Sequence, residues 1–290
     1  VKIIDAIQSQ SKPFYSLEFF PPKEKKQWDS FFSTVERLKA LNPLFASVTY
    51  GAGGSTQDNT LEITSRMKHV AGIEPMAHLT CVGASREKIN GFINKLREAD
   101  VHNVLALRGD CPPDENFSWT DQEFRYASDL VTLVSKEHPD FGVAVAGYPA
   151  AHPESPTFAD DLHYTRVKID AGSDFVVTQL FFDVREYFDF VSRLRSNGIN
   201  KPVIPGILPI QSLNSIKRIL SLCGANIPGQ LYLTLEEANE KGGDEAVKEA
   251  GLKFAVNQIR QLVDGGAPGI HLYTLNKADM CLELADRVNL

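Results

Sequence analysis

The chain has 290 residues, 43% hydrophobic and 23% charged, with a formal net charge of −7 from 30 basic and 37 acidic side chains. A chain of that size buries about three quarters of its unfolded surface in one or two domains, and its interspersed, acidic balance argues against a nucleic-acid footprint or a basic membrane face. Cys81, Cys111, Cys223 and Cys281 have no paired metal spacing and suit a reducing compartment better than a disulfide framework. With no leader pattern and no run approaching about 18 apolar residues, the expectation is a cytoplasmic chain without a membrane span.

Strand-like runs occur at 15–20, 45–50, 75–81, 103–109, 142–148, 175–181, 203–208 and 269–275. Helical periodicity fills the intervals. In 28–41, Phe31, Val35 and Leu38 recur three and four apart against Glu36, Arg37 and Lys39. Further helices are expected at 57–70, 85–98, 123–137, 156–170, 185–197 (Tyr187, Phe188, Val191 and Leu194 form its stripe), 213–222, 244–264 and 277–288. The Gly- and Pro-punctuated segment 223–243, with a short helical piece, reads as a decoration between strands seven and eight. Eight strands alternating with helices predict an α/β fold of the (β/α)8 TIM-barrel type, a single domain over 1–290. An open doubly wound sheet fits less well, because the first strand runs into Phe19-Phe20-Pro21-Pro22, which cannot be a glycine-rich phosphate loop. Gly51-Ala52-Gly53-Gly54 after the second strand is a flexible turn and a weak phosphate signal.

A barrel of this type builds its active site from the C-terminal strand ends. Those ends carry Glu18, Thr49 and Tyr50, His78 and Thr80, Arg108 and Asp110, Tyr148 with His152, Gln179 with Asp183, and Tyr273, Thr274 and Asn276. Each has a plainer reading beside the functional one. Glu18 can pair with a base, His78 can be a packing residue, and Thr49 and Thr80 are good strand formers. Gln179, flanked by Val176, Val177, Leu180 and Phe181, carries an amide that needs partners, which favours a ligand contact. Arg108-Gly109-Asp110 ends an apolar run with opposite charges; a dry strand has no use for them, so they mark a rim. As a bare tripeptide the same residues are a common exposed turn.

Asp161, Arg166 and Lys168, on an expected helix, read by composition as a solvated face. The proline-flanked Tyr148-Pro149-Ala150-Ala151-His152-Pro153 is a rigid loop, suited to holding ring groups or simply to turning the chain. His78, His152, His163 and His271 have no metal-site spacing, and no G-x-S-x-G elbow exists, so neither a metal nor a serine triad is expected. The inventory suits a large planar ligand and a proton transfer, without naming the ligand.

Nine motifs in order along nearly the whole chain resemble the bacterial methylenetetrahydrofolate reductases. They are S-L-E-F-F-P-P (16–22), S-V-T-Y-G-A (47–52), H-L-T-C (78–81), A-L-R-G-D (106–110), Y-A-S-D-L-V-T-L (126–133), Y-P-A-A-H-P-E (148–154), D-A-G-S-D-F-V-V-T-Q-L-F-F-D (170–183), P-G-I-L-P (205–209) and Y-T-L-N (273–276). The resemblance implies a flavoprotein barrel in which FAD passes a hydride from NAD(P)H to 5,10-methylenetetrahydrofolate, giving 5-methyltetrahydrofolate. It implies a ping-pong mechanism in which one flavin face serves both substrates in turn.

By the same resemblance Glu18 is the acid that promotes opening of the imidazolidine ring. A neutral carboxylic acid must donate that proton, and burial behind Phe19 and Phe20 is expected to keep it protonated. Asp110 is implied at the junction of flavin and pterin, and Gln179 as a pterin contact. Thr49, His78, Arg108, Tyr148, His152, Asp161 and Lys168 match FAD-contacting positions, which replaces the solvated-face reading of Asp161 and Lys168. Ala146 is implied to lie against the flavin region.

The resemblance also implies a homo-oligomer, with an electron-transfer protein as the alternative donor. The departures are Gly51-Ala52-Gly53-Gly54-Ser55-Thr56, and Ser215 and Ile219, which stand where a glutamine and an aromatic residue can clamp substrates. They leave NADH or NADPH preference open. Without the long C-terminal extension of eukaryotic relatives, adenosylmethionine control is not expected. The competing readings are a barrel that reduces a different pterin and a silent folate- or flavin-binding scaffold; the presence of both Glu18 and Asp110 favours an enzyme.

Overall fold

The computed structural model describes residues 1–49, 57–111 and 117–290. Its strands are β1 (Phe14–Phe19), β2 (Phe45–Val48), β3 (Pro75–Thr80), β4 (Asn103–Leu107), β5 (Gly142–Gly147), β6 (Phe175–Thr178), β7 (Val203–Ile204), β8 (Gly206–Ile207) and β9 (Gly269–Tyr273). The helices are α1 (Ile3–Gln8), α2 (Trp28–Leu38), α3 (Gln57–Arg66), α4 (Arg86–Glu98), α5 (Ala127–Glu137), α6 (Phe158–Asp170), α7 (Val184–Ser196), α8 (Leu213–Cys223), α9 (Gly229–Asp264) and α10 (Ala278–Val288). The strands pair in parallel in the order β7-β6-β5-β4-β3-β2-β1-β9-β8. Only Pro205 separates β7 from β8, so the two edges of this sheet belong to one stave and the barrel closes there.

That closure corrects one expectation. The run 203–208 is not one strand but two short ones, β7 on β6 and β8 on β9. Pro205 is the cause: it has no N–H to donate to a ladder, and its carbonyl instead accepts from the N–H of His271 at 2.9 Å. The strands are also shorter than the apolar runs, so Arg108 and Gln179 stand just beyond β4 and β6 rather than within them. Segment 223–243 carries more helix than expected. Its helix continues into the one at 244–264, and α9 kinks at Gly242 and Gly243, the latter at φ 61°. The helix α1 was missed, although Ile3, Ile4 and Ile7 have helical spacing.

Strand alternation then sorts the side chains. On β1, Tyr15, Leu17 and Phe19 face the core shared with the helices, alongside Phe31, Val35 and Leu38 of α2. Phe14 faces the barrel interior, where it packs with Phe45, Met76, Leu105, Ala144, Phe175, Val177 and Ile204. Ile3, Ile4 and Ile7 of α1 join this interior cluster and close the N-terminal end of the barrel. The backbone of α1 is tied down by Asn103, whose Oδ1 accepts from Ile3 N–H at 2.8 Å and whose Nδ2 donates to the Val1 carbonyl at 2.9 Å. The apolar interior therefore ends partway up, and the next inward positions on β1, β2, β3 and β9 are polar. Among the described residues, no helix is long and apolar enough to cross a membrane.

Candidate functional site

The polar layer is centred on Glu18. Parallel register sets Glu18 opposite Ser47 on β2 and Tyr273 on β9, and sets Ser16 opposite His271. Ser16, Ser47 and His271 are fully buried, and Glu18 and His78 are 6% exposed. Glu18 Oε2 lies 3.3 Å from His78 Nε2 and 3.7 Å from His271 Nε2, and accepts from Ser47 Oγ at 3.4 Å. Ser16 Oγ contacts the other ring nitrogen, His271 Nδ1, at 2.9 Å. Burial pushes the Glu18 carboxyl up, but the facing imidazoles of His271 and His78 outweigh it and hold the group at about 2.

The expectation of an acid kept neutral by burial behind Phe19 and Phe20 is therefore not met. Phe19 faces the outer core and Phe20 is 39% exposed, so the carboxyl's neighbours are imidazoles rather than phenyl rings. His78 Nε2 is near Glu18 but poorly aligned with it, and is a buried polar atom without a hydrogen bond.

Beyond β4 and β5 opens a cleft of about 570 Å³. Arg108, Ala146, Tyr148, His152, Asp161 and Lys168 all line it, so six of the expected site residues come together. Asp161 is buried in the first turn of α6. Its Oδ1 accepts from His152 N–H at 3.1 Å and from Ser155 Oγ at 2.9 Å, which folds the 152–155 loop against the cleft. The Lys168 ammonium donates to the Ala146 carbonyl at 2.6 Å, and burial pushes it down to about 8, against the pull of Asp161.

Composition misplaced these two side chains on a solvated face; of the three read that way, only Arg166 is exposed, paired with Asp170 at 3.3 Å. Burial also pushes the Tyr148 phenol up to about 12, and its ring stands edge-on to His152 at 4.8 Å. Arg108 lies over Trp119 at 4.6 Å and is held in a two-bond fork by Glu154, at 2.7 and 2.6 Å. A cleft with three cationic side chains (Arg108, Arg125 and Lys168), several ring faces and a shaped loop could hold an anionic, ring-bearing cofactor.

The remaining expected residues lie outside that lining. Thr49 follows β2, donating its N–H to the Phe19 carbonyl at 3.0 Å. Asp110 is exposed, beyond Gly109. Gly109 has φ +90°, and a Cβ there would lie 2.5 Å from Val82 Cγ1. Gln179 is half-buried, its Oε1 accepting from the N–H of Leu180 at 2.9 Å. Asp183 caps α7 through the Arg185 N–H at 2.9 Å, a structural task.

Thr274 Oγ1 donates to the Glu18 carbonyl at 2.6 Å, and Asn276 brackets Phe20 with bonds of 3.1 and 2.8 Å, so both hold the end of β1 in place. Ser215 and Ile219 sit on α8, the first donating its N–H to Ser212 Oγ and the second packed on a satellite apolar cluster. Tyr50 and the segment Gly51–Thr56 lie outside the described residues. Sequence reasoning missed Ser16, Ser47, Trp119 and Glu154, and considered His271 only as a metal ligand. For Ser16 and His271 the usable signal was parity with Glu18 and Tyr273 on their strands. Among the described residues, no group of three or more His, Cys, Asp or Glu is placed to hold a metal ion.

Against known proteins, a protein-family model described as methylenetetrahydrofolate reductase matches residues 2–289. Methylenetetrahydrofolate reductase (NADH) 1 of Arabidopsis thaliana is 41% identical over 290 residues, covering 95% of this chain and 49% of that protein. The 5,10-methylenetetrahydrofolate reductase of Escherichia coli K12 is 36% identical over 265 residues, covering 91% of this chain and 87% of that protein. The chain thus spans about half the length of the plant relative and most of the bacterial one. Among solved structures, a Clostridium thermocellum protein described as binding two copies of 5-methyl-5,6,7,8-tetrahydrofolic acid superposes with a TM-score of 0.70 at 15% identity. That match covers 99% of this chain and all of the other, a likeness of fold.

Proposed function

The chain belongs to the methylenetetrahydrofolate reductase family, and from that premise we propose that it reduces 5,10-methylenetetrahydrofolate to 5-methyltetrahydrofolate. In this reading FAD is the bound cofactor, NAD(P)H the hydride donor, and the order ping-pong. The observation that carries the reading is that one barrel bears two unlike sites, the cation-bearing cleft beyond β4 and β5 and the buried carboxylate–imidazole layer on β1, β3 and β9.

The cleft residues fit a flavin dinucleotide. Arg108 and Lys168 supply positive charge for a diphosphate, and Tyr148 and His152 supply ring surfaces; His78, outside that lining, is assigned a polar contact through its Nε2, which makes no hydrogen bond of its own. When bound, FAD supplies the two-electron redox chemistry. The chain's own residues supply placement and the proton. A proton entering the Glu18 layer is shared between Oε2 and the nearby imidazole nitrogens. A substrate that excludes water favours the neutral pair, carboxylic acid and imidazole, over the ion pair. Glu18 in that form can donate to the ring nitrogen of the folate as the imidazolidine opens. The Gln179 amide is assigned to the pterin edge, and Asp110, beyond the end of β4, to the junction of pterin and cofactor.

The absorbance spectrum of the purified protein is the first test, since a flavin band at about 450 nm is characteristic of such cofactors. Failure to bind any flavin after reconstitution sinks the reading. Anaerobic stopped-flow then separates the half-reactions: NADH or NADPH should bleach the flavin, and methylenetetrahydrofolate should restore its colour. If only a reduced electron-transfer protein bleaches it, that protein is the donor. The reading also has the chain working in the cytoplasm as a homo-oligomer, which light scattering of the purified protein checks.

A further inference from the structure

The break at Pro205 has a consequence on the neighbouring strand. The β6–β7 register pairs Val176 with Val203 and Val177 with Ile204. Continued by one residue, it would hand the Thr178 carbonyl the N–H of Gly206. That N–H goes instead to Thr178 Oγ1 at 2.9 Å. The Thr178 carbonyl is served from across the interior, by the hydroxyl of Tyr273 at 2.7 Å.

Room for that reach is made at Gly206. A Cβ there would collide with the Thr178 carbonyl and lie 2.6 Å from Tyr273 Cε2. Tyr273 is the register partner of Glu18, and Thr178 immediately precedes Gln179. Gln179 shares strand parity with Val177, which packs in the barrel interior. One phenol thus joins the strand beside the acid to the backbone that carries the amide.

We propose that Tyr273 is a positioning residue that fixes the end of β6, and with it the placement of Gln179 relative to Glu18, so that it sets affinity for the folate rather than reaction with the nicotinamide. This rests on the reading of Gln179 as a pterin contact. The physical ground is that a buried carbonyl without a donor is costly, so without the hydroxyl the strand end shifts to find water or another partner.

The test compares Tyr273→Phe, which removes only the hydroxyl, with Gln179→Ala and the double variant, all in the flavin-loaded full chain. Calorimetry with 5-methyltetrahydrofolate should show about five- to tenfold weaker binding for Tyr273→Phe, the size of one neutral hydrogen bond. Flavin reduction by the nicotinamide donor should stay within about twofold, since in this inference the hydroxyl acts through the pterin contact of Gln179. The double variant should bind folate no more weakly than Gln179→Ala alone, because the tyrosine acts through the glutamine.

Unchanged folate affinity, additive losses, or equal loss in both half-reactions with a lowered melting temperature would each overturn the inference. If Tyr273→Phe does not fold, Gly206→Ala crowds the contact between the ring and the Thr178 carbonyl while keeping the hydroxyl. The same selective loss supports the inference, and wild-type affinity overturns it. Absence of any folate binding by the unsubstituted protein would instead overturn the reading of the site, and the inference with it.

Discussion

Glu18 and His271, on adjacent strands β1 and β9, bring carboxylate Oε2 and ring Nε2 to 3.7 Å, while Ser16 holds the opposite ring nitrogen at 2.9 Å. The imidazole is thus tethered on one side and faces the acid on the other. With His78 at 3.3 Å, it makes Glu18 a carboxylate in a dry layer that would otherwise favour the protonated form. Acid–base behaviour here is a property of the group of side chains, not of one residue.

Acid stability should show this pairing. The Glu18 carboxyl is held at about 2 against an ordinary 4.5. A depressed carboxylate contributes stability that is fully present above the ordinary value and is lost as pH falls towards the folded one. Urea unfolding from pH 6 to pH 2 should therefore show a decline in this window that is shallower in Glu18→Gln. A variant profile parallel to the wild type would contradict the assignment.

Glu18→Gln also separates the half-reactions. The amide keeps the size of the side chain but cannot act as an acid, so folate-dependent flavin reoxidation should drop by about 10²- to 10⁴-fold, the usual worth of a placed general acid. Flavin reduction by the nicotinamide donor should be retained. Equal loss of both rates in stopped-flow would remove Glu18 from the folate side.

Lys168 should make cofactor binding pH-dependent. Burial brings its ammonium down to about 8, so in the free protein its charge disappears through that pH. An anionic dinucleotide should bind more weakly at pH 9 than at pH 7, measured by flavin fluorescence on titration into the apoprotein. Lys168→Met should bind more weakly at pH 7 and lose most of that pH dependence. A steep dependence surviving in the variant would place the titrating group elsewhere.

Arg108 lies between Glu154 and the ring of Trp119, which orients its planar fork. Arg108→Lys keeps the charge but not the fork, and should cost about tenfold in FAD affinity, the scale of a charge-assisted hydrogen bond. Riboflavin, which lacks the diphosphate, should bind both proteins alike. An equal loss for riboflavin would show that Arg108 acts on the ring system or on the fold.

Ala146 lines the cleft, and its carbonyl holds Lys168. Ala146→Val adds two methyl groups where a planar ligand is expected to lie, and overpacking of this kind typically costs about 1–3 kcal/mol. The variant should lose flavin on dilution and regain it with excess FAD, followed by gel filtration and absorbance. Retention equal to wild type would place the ring system away from Ala146.

Much of this molecule was legible in the chain, because the signals involved are local. The apolar strand-like runs and the helical spacing along Phe31, Val35 and Leu38 reflect the geometry of single elements, and their alternation along the chain was enough to predict a barrel. The cleft residues from Arg108 to Lys168 were reached through motifs resembling a known family. Composition alone had put Asp161 and Lys168 in solvent, because a charged residue is usually exposed and nothing in a helix's own sequence says that a loop will fold over it.

What the sequence by itself determined is therefore the succession of strand runs and helices, apart from α1 and the break at Pro205, and the set of polar residues at the strand ends. Only the tertiary structure decided that Pro205 splits a stave and closes the barrel, that Ser16 and His271 meet beside Glu18, and that Glu154 takes the fork of Arg108. The reason is chain separation. Periodicity is written by neighbours a few residues apart, whereas Ser16 and His271 are 255 residues apart and become neighbours only when the last strand pairs with the first.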